Sequence, residues 1–419
     1  MLKKINLNKN FFFKDIYDLF LISIIRIIPI ILNILIVKYF LTYHKSQIDE
    51  YIALITTATI ICTFSNYGIL NYILKFKDRN KFKILGLFIK IKIPMVFFLI
   101  FICAIVTTIN YYFSELLNEG NLIYILTFFL VIFLFGINNL NSFYFNAINK
   151  PKTAGLFRFL IIGLIFYILL STTKNDFMFN YFYASIISVI ISYIYILKSI
   201  NLKNIKINHK LRFYNFLISN KHKGLSSIFS SWMLYLPLVL ATYIYNENEI
   251  FIFFFVTRIL NLFFISTVIF ENKFMYQYSR YFVEKNFSKI KKFLIYRTKL
   301  IMVPLIPLSL GLIVFKEPIF NYFEIESLYS NLYFFTIIVG ILKLIIGPVI
   351  EYTLFYDIKF YYKKMQYIMY FIYYSLCFLF IFTLNISLAI YFISTLFILY
   401  FFVISIVIYL KMKKFIYNN

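Results

Sequence analysis

Residues 388–410 read LAIYFISTLFILYFFVISIVIYL, a run without a single charge, and this stretch decides what kind of protein the chain can be. Wound as a helix at 1.5 Å per residue, it is long enough to cross a hydrocarbon layer of about 30 Å. Comparable runs recur along the whole sequence. Spans are expected over Leu19–Phe40, Tyr51–Leu74, Leu85–Ile109, Leu122–Leu140, Leu156–Leu170, Phe177–Leu197, Ser226–Tyr245, Ile250–Phe270, Leu300–Phe315, Leu332–Ile350, Ile368–Leu384 and Leu388–Leu410. Apolar residues make up 62% of the 419 positions and charged residues 14%, with a mean hydropathy of +0.83, which leaves too little polar surface for a water-soluble shell. The expected fold class is therefore all-α and integral to the membrane, with about twelve transmembrane helices.

Charge sets the expected orientation. Counting Lys90, Lys92 and Arg158, near the ends of their spans, with the adjoining connections, the even-numbered connections and the two termini carry 35 Lys and Arg residues, whereas the odd-numbered connections carry only Lys45, Lys174 and Lys316. Basic connections stay on the cytoplasmic side, so both termini are expected there. Lys3, Lys4, Lys9 and Lys14 lead straight into the first span without a cleavage pattern, so that span should be retained. The net charge of +25 suits an anionic membrane leaflet and calls for no nucleic acid.

The two parts of the chain repeat each other. A shift of about 209 residues lays most of the last six spans on the first six, with Pro29 answering Pro237 and Pro94 answering Pro304. An even number of spans per repeat gives two lobes of equal orientation, 1–205 with spans one to six and 206–419 with spans seven to twelve. The basic stretch Lys198–Lys223, with His209 and His222, joins them as a solvated tether. Pro29 and Pro237 each remove a hydrogen bond inside the first span of a lobe. They predict either moving, gate-like helices or static kinks satisfied by neighbours, and the sequence leaves both open.

Besides Lys90, Lys92 and Arg158 near span ends, four basic residues fall within the expected spans, Arg26, Lys38, Arg258 and Lys343. Arg26 lies roughly 10 Å below the cytoplasmic interface, with Asn33 two turns on along the same face. Arg258 is near the middle of its span, with Asn261 three residues on. An unpaired guanidinium there costs at least about 2.5 kcal/mol against lipid, so a polar cavity is the expected surrounding. Lys343 is a further cavity candidate, balanced by its reach toward the cytoplasmic side, and Lys38 is expected to snorkel to the outer interface. Acidic residues are nearly absent from the spans, with Glu271 and Glu351 only at their ends, so a central cavity would be positive and would suit an anion.

Sites for chemistry are not apparent. The sequence has no HExxH, no GxSxG and no phosphate-binding loop, its three histidines His44, His209 and His222 sit in connections, and Cys62, Cys103 and Cys377 lie in apolar runs as packing residues. Phe and Tyr number 55 and 38, which is consistent with AT-rich coding, so a lone aromatic stripe carries little functional weight.

Three stretches carry a family resemblance. NILIVKYFLTYHKSQIDEYIALITTATIICTFSNYGILNYILKF, Asn33–Phe76, resembles a first span, a short external turn and a second span with its glycine at Gly68. FYFNAINKPKTAGLFRF, Phe143–Phe159, resembles a basic turn between spans four and five. EIFIFFFVTRILNLFF, Glu249–Phe264, resembles span eight, with an A-x-R feature represented by Thr257 and Arg258. Together they resemble a Wzx-type O-antigen or polysaccharide flippase of the multidrug/oligosaccharidyl-lipid/polysaccharide (MOP) exporter superfamily. Glycines common around the first external turn of that family are replaced here by residues such as Leu41 and Tyr51.

The resemblance implies a MATE-like pair of six-helix lobes and alternating access in a bacterial inner membrane. It implies as cargo an oligosaccharide repeat unit linked to undecaprenyl pyrophosphate, flipped from the cytoplasmic to the periplasmic leaflet. Arg26 and Arg258 would meet the pyrophosphate, and Asn33 and Asn261 the sugar. Membrane lipids are the other expected partners, an O-antigen polymerase and a chain-length regulator are candidate ones, and a monomer suffices. No cofactor, metal or enzymatic activity is implied. A drug exporter of the same superfamily is the nearest alternative, although cation-transporting members keep acidic residues within their lobes. A polymerase- or ligase-type membrane enzyme is the other, although it needs a large external loop and the longest here is about 15 residues.

Overall fold

Ile, Phe and Tyr crowd these runs and are only moderate helix formers in water. Inside a hydrocarbon layer the backbone has no water to bond, so the same runs must satisfy their own amides and carbonyls and wind as helices. The computed structural model describes residues 9–43, 47–66, 81–113, 122–148, 150–173, 176–198, 213–263, 288–289, 305–346 and 360–417. Among them every regular element is helical.

The chain runs through α1 (Lys9–Tyr43), α2 (Ile48–Asn66), α3 (Lys81–Phe113) and α4 (Leu122–Ala147). A short turn, Pro151–Gly155, and a π turn, Leu156–Leu160, lead into α5 (Ile161–Thr172), and α6 (Phe177–Lys198) follows. Then come α7 (Phe213–Ala241), α8 (247–263), α9 (Leu305–Val314), α10 (Lys316–Phe323), α11 (Ser330–Ile346), α12 (Phe360–Thr383) and α13 (Ile386–Tyr417). Among the described residues seven helices are long and apolar enough to cross a membrane, or nine if the bent α7 and the bent pair α9 and α10 each count as one span. The expected tether around His209, and Gly68, Pro304, Glu271 and Glu351, lie outside the described residues.

Side chains facing outward are apolar where a soluble protein would be charged. On α3, Ile93, Phe97, Phe101 and Ile105 form an exposed stripe at four-residue spacing, a surface that only lipid can cover without cost. The apolar window of α3 is 22% buried, against 78% for α2, which identifies α2 as a central helix. Its hydroxyls turn back on their own helix, Thr56 donating to the Ile52 carbonyl and Thr59 to that of Ile55.

Within residues 9–198, α2 and α3 pack on α4, α4 packs on α6, and α5 packs on α6 and α1. Within residues 213–417, α12 packs on α7 and α13, and α11 on α13. The main contact between the two sets is α2 against α7. Small residues allow the closest approaches: a Cβ at Gly340 of α11 would overlap the Phe263 ring of α8, and one at Gly136 of α4 would press on Leu99 and Ile61.

Candidate functional site

Arg258 is a cation inside an apolar helix, and its helix supplies the first contact. Phe254, one turn earlier, lies under the guanidinium at 4.4 Å from ring centroid to Cζ. Arg258 is 5% exposed, and its Nε and Nη2 are buried with no protein acceptor. The Nδ2 of Asn261, one turn on along the same face, is likewise a buried donor without an acceptor. A buried, unsatisfied donor costs about 1–3 kcal/mol, and more when charged, so three together on one helix face are a standing demand for acceptor oxygens.

Residues from both parts of the chain surround this face. Tyr51 of α2, Tyr181 of α6 and Tyr235 of α7 lie within electrostatic range of the guanidinium. Tyr51 is fully buried between the Phe40 and Phe166 rings, at 5.1 and 5.9 Å, and its hydroxyl donates to Asn33 Oδ1 on α1 at 3.0 Å. Asp49 at the start of α2 lines one cavity with residues 245–248, so these helix ends lie together. Asn33 lies ten residues before the end of α1, and Arg258 eleven residues into α8.

The other sequence candidates are distributed as follows. Arg26 is on α1 with its side chain outside the described residues, and Pro29 is buried on the same helix. Lys343 of α11 has its ammonium on the face of Phe401 of α13. Pro237 is buried in α7, and the carbonyl its ring leaves without an amide, that of Met233, accepts the Tyr373 hydroxyl at 2.6 Å. Lys38, expected to snorkel to the outer interface, pairs with the exposed Glu324 at 2.5 Å, joining α1 to the residue after α10. Trp232 Nε1 donates to Thr63 Oγ1 at 2.7 Å and the Tyr243 hydroxyl to Asn110 Oδ1 at 3.1 Å, so two further bonds tie the two sets of helices.

Sequence reasoning missed the three tyrosines, which nothing distinguishes from the other tyrosines in the chain. It also missed a polar seam between α4 and α6. Asn138, Asn139, Asn141 and Ser142 are fully buried, as are Ser185, Ser188 and Ser192. Lys92, counted above with a cytoplasmic connection, falls inside the apolar segment Phe88–Tyr111, where it donates to Asn141 Oδ1 at 2.5 Å and to the Tyr193 hydroxyl at 2.8 Å. The signal was available, since INNLNS at 137–142 is a polar cluster embedded in an apolar helix.

No family model matches the chain, and no curated protein matches its sequence. Solved structures do match in fold. A MATE transporter crystallised in the straight conformation superposes with a TM-score of 0.62 at 12% identity, over 96% of each chain. A MOP superfamily transporter from Pyrococcus furiosus, described as having a binding pocket of reverse polarity, gives 0.62 at 13% identity over 94% of this chain and 95% of its own. A multidrug resistance MATE transporter in the outward-facing conformation gives 0.60 at 14% identity, over 96% of each chain. Buried polar residues inside an apolar helical bundle thus belong to a chain that is similar in fold, over nearly its whole length, to membrane transporters of the MOP superfamily.

Proposed function

We propose that the chain flips an oligosaccharide linked to undecaprenyl pyrophosphate from the cytoplasmic to the periplasmic leaflet of a bacterial inner membrane. In this reading the lobes 1–205 and 206–419, with both termini cytoplasmic, alternate around a cationic cavity, and the monomer is the working unit. The observation that carries it is the Nε and Nη2 of Arg258, buried between helices of both parts of the chain with no acceptor of their own. A guanidinium edge of this kind is matched by a phosphate oxygen pair, and its charge persists at any physiological pH. The polyprenyl tail stays in lipid, while Asn33 and Asn261 offer amide groups to sugar hydroxyls, whose desolvation without partners costs on the order of 1–3 kcal/mol each. Arg26 adds a second positive charge from α1. The polymerase and chain-length regulator of the same pathway are the proposed partners downstream.

The test is the double variant Arg26→Ala/Arg258→Ala in cells that depend on this chain for their surface glycan. Export is expected to be lost while the amount of protein is unchanged, and normal export would reject the reading. A drug exporter is the second reading, favoured by the fold likeness to a multidrug resistance transporter. A cationic drug, however, asks for acceptors, and the groups without partners at Arg258 and Asn261 are donors.

A further inference from the structure

The polar seam beside α4 ends at the membrane, and its last two groups are donors. Ser192 of α6 donates its hydroxyl to the Val189 carbonyl at 2.8 Å, so its oxygen is what meets Asn141 Nδ2 at 2.7 Å. That contact turns Asn141 Oδ1 toward Lys92 Nζ, 2.5 Å away. An ammonium can only donate, so the Tyr193 hydroxyl oxygen, 2.8 Å from Nζ, accepts a second proton. Two donors are left over. Lys92 keeps its third N–H and Tyr193 its O–H, and among the described residues neither has an acceptor.

Both groups lie where the first set of helices faces lipid. Lys92 adjoins Ile93 of the exposed stripe on α3, and Tyr193, 38% exposed, belongs with Ile190, Ile194 and Leu197 to the outward face of α6. The ammonium is held in place between the Tyr193 and Phe88 rings, whose centroids are 4.1 and 5.8 Å away. Lys92 stands four residues past Phe88, where the apolar segment of α3 begins, and Tyr193 five residues before Lys198, where α6 ends. Each is therefore roughly 6–8 Å inside the apolar layer, within reach of the headgroups for a side chain as long as lysine.

The protein supplies this ammonium with no counter-charge. Among the described residues from 81 to 198 the one acidic side chain is Asp176, which accepts the Met178 amide before the opposite end of α6, about 25 Å along the helix from Tyr193. Basic residues gather at the near end instead, with Lys90 on α3, Lys198 on α6, and Lys150 and Lys152 just past α4. A zwitterionic headgroup would bring a cation that finds no carboxylate here, whereas the oxygens of an anionic headgroup accept from both free donors. Basic pockets between transmembrane helices at headgroup level hold anionic lipids on this principle.

We propose that Lys92 and Tyr193 form a binding site for the phosphate of an anionic phospholipid in the leaflet at this end, the cytoplasmic one in the orientation proposed above. One phosphate oxygen takes the third proton of Lys92 and another the Tyr193 hydroxyl, while the acyl chains lie along the apolar faces of α3 and α6. The site is on the lipid-facing side of one set of helices, so it takes a lipid of the leaflet rather than the cargo. It does not depend on the anion reading of Arg258.

The experiment is native mass spectrometry of the purified full chain in detergent, titrated with phosphatidylglycerol and, separately, with phosphatidylcholine. Wild type is expected to hold its first phosphatidylglycerol about tenfold more tightly than phosphatidylcholine. Lys92→Met and Tyr193→Phe are each expected to weaken that complex about tenfold, the scale of one hydrogen bond to a charged group. Tyr193→Phe keeps the ring against the ammonium, and it decides alone if Lys92→Met does not fold. Lys198→Gln, an exposed charge at the same end, is expected to change binding by less than about twofold. Equal binding of the two lipids by wild type, unchanged binding by Tyr193→Phe, or an equal loss in Lys198→Gln would overturn the proposal. Undecaprenyl pyrophosphate, titrated in the same way, separates the two sources of phosphate: a Tyr193→Phe loss confined to that ligand would assign the site to the cargo and overturn the phospholipid.

Discussion

Lys92 is a charge that hydropathy counting assigns to the wrong place. Two lysines within three positions, Lys90 and Lys92, read as the tail of a basic connection, yet α3 begins nine residues before Lys90, and Lys92 is carried into the seam of α4 and α6. Its ammonium rests on neutral acceptors and on the Tyr193 ring, whose centroid is 4.1 Å away. Asn141→Ala removes the shorter acceptor, and the expected loss is about 1.5–3 kcal/mol, the range for a hydrogen bond to a charged group. Lys92→Met/Asn141→Leu is expected to lose less than Asn141→Ala, since no charge is left stranded. Thermal unfolding in detergent micelles reads both, and a double variant less stable than the single would contradict the assignment. Arg258 and Asn261, by contrast, were legible, because polar atoms in the run FFFVTRILNLFF contrast with everything around them. Tyr51 was not, since its position is set by Phe40, Phe166 and Asn33, which come from two other helices.

At the scale of one helix, α7 shows how a bent span is held. Its segments Gly224–Ser230 and Trp232–Ala241 meet at 49°. Three of its carbonyls, on Ser226, Phe229 and Met233, accept hydroxyls from Tyr370, Tyr374 and Tyr373 of α12. The Met233 carbonyl is the one that Pro237 deprives of its amide donor, the other two lie in the segment before the bend, and in lipid no water could replace such a bond. The sequence allows Pro237 to be either a gate or a satisfied kink, and the Tyr373 hydroxyl gives the carbonyl it leaves free a partner in this structure. Tyr373→Phe leaves the Met233 carbonyl without its hydroxyl, with an expected loss of about 1–3 kcal/mol. Tyr183→Phe on an outward face, 47% exposed, is the control expected to change little. Equal melting of the two variants would remove the ladder from the account. Hydropathy finds α7 and α12 separately but cannot say that they are neighbours, so the ladder had no sequence signature.

Across the whole molecule, the polar ties between the two sets of helices among the described residues are mostly neutral. Lys38 with Glu324 is the one ion pair between them among the described residues. The Glu324 side chain is 79% exposed, so the pair is worth below about 1 kcal/mol. A weak tie suits a joint that must open in every transport cycle, as the proposed function requires. Lys38→Glu and Glu324→Lys each place like charges together, and each is expected to lower the melting temperature slightly at low salt. The exchange Lys38→Glu/Glu324→Lys is expected to restore it. Failure of the exchange to restore stability would show that the pair does not join the two sets in solution. The helical membrane architecture was legible from composition and run length alone, because lipid permits few other solutions. Which helices touch was beyond reach, since lipid-facing and protein-facing surfaces are equally apolar and hydropathy cannot separate them.

The π turn at Leu156–Leu160 works as a gear between two helical registers. It spends one residue more per turn than regular winding, so all that follows is rotated by about 100° from where an uninterrupted helix would carry it. Below the turn the chain leans on α4, and above it on α6, with Phe166 and Leu170 aimed inward. Asn138 secures the gear by donating to the Phe157 carbonyl. The surplus residue thereby sets the azimuth of Phe166, the ring that backs Tyr51, and a backbone irregularity in one span is geared to the aim of a side chain in another.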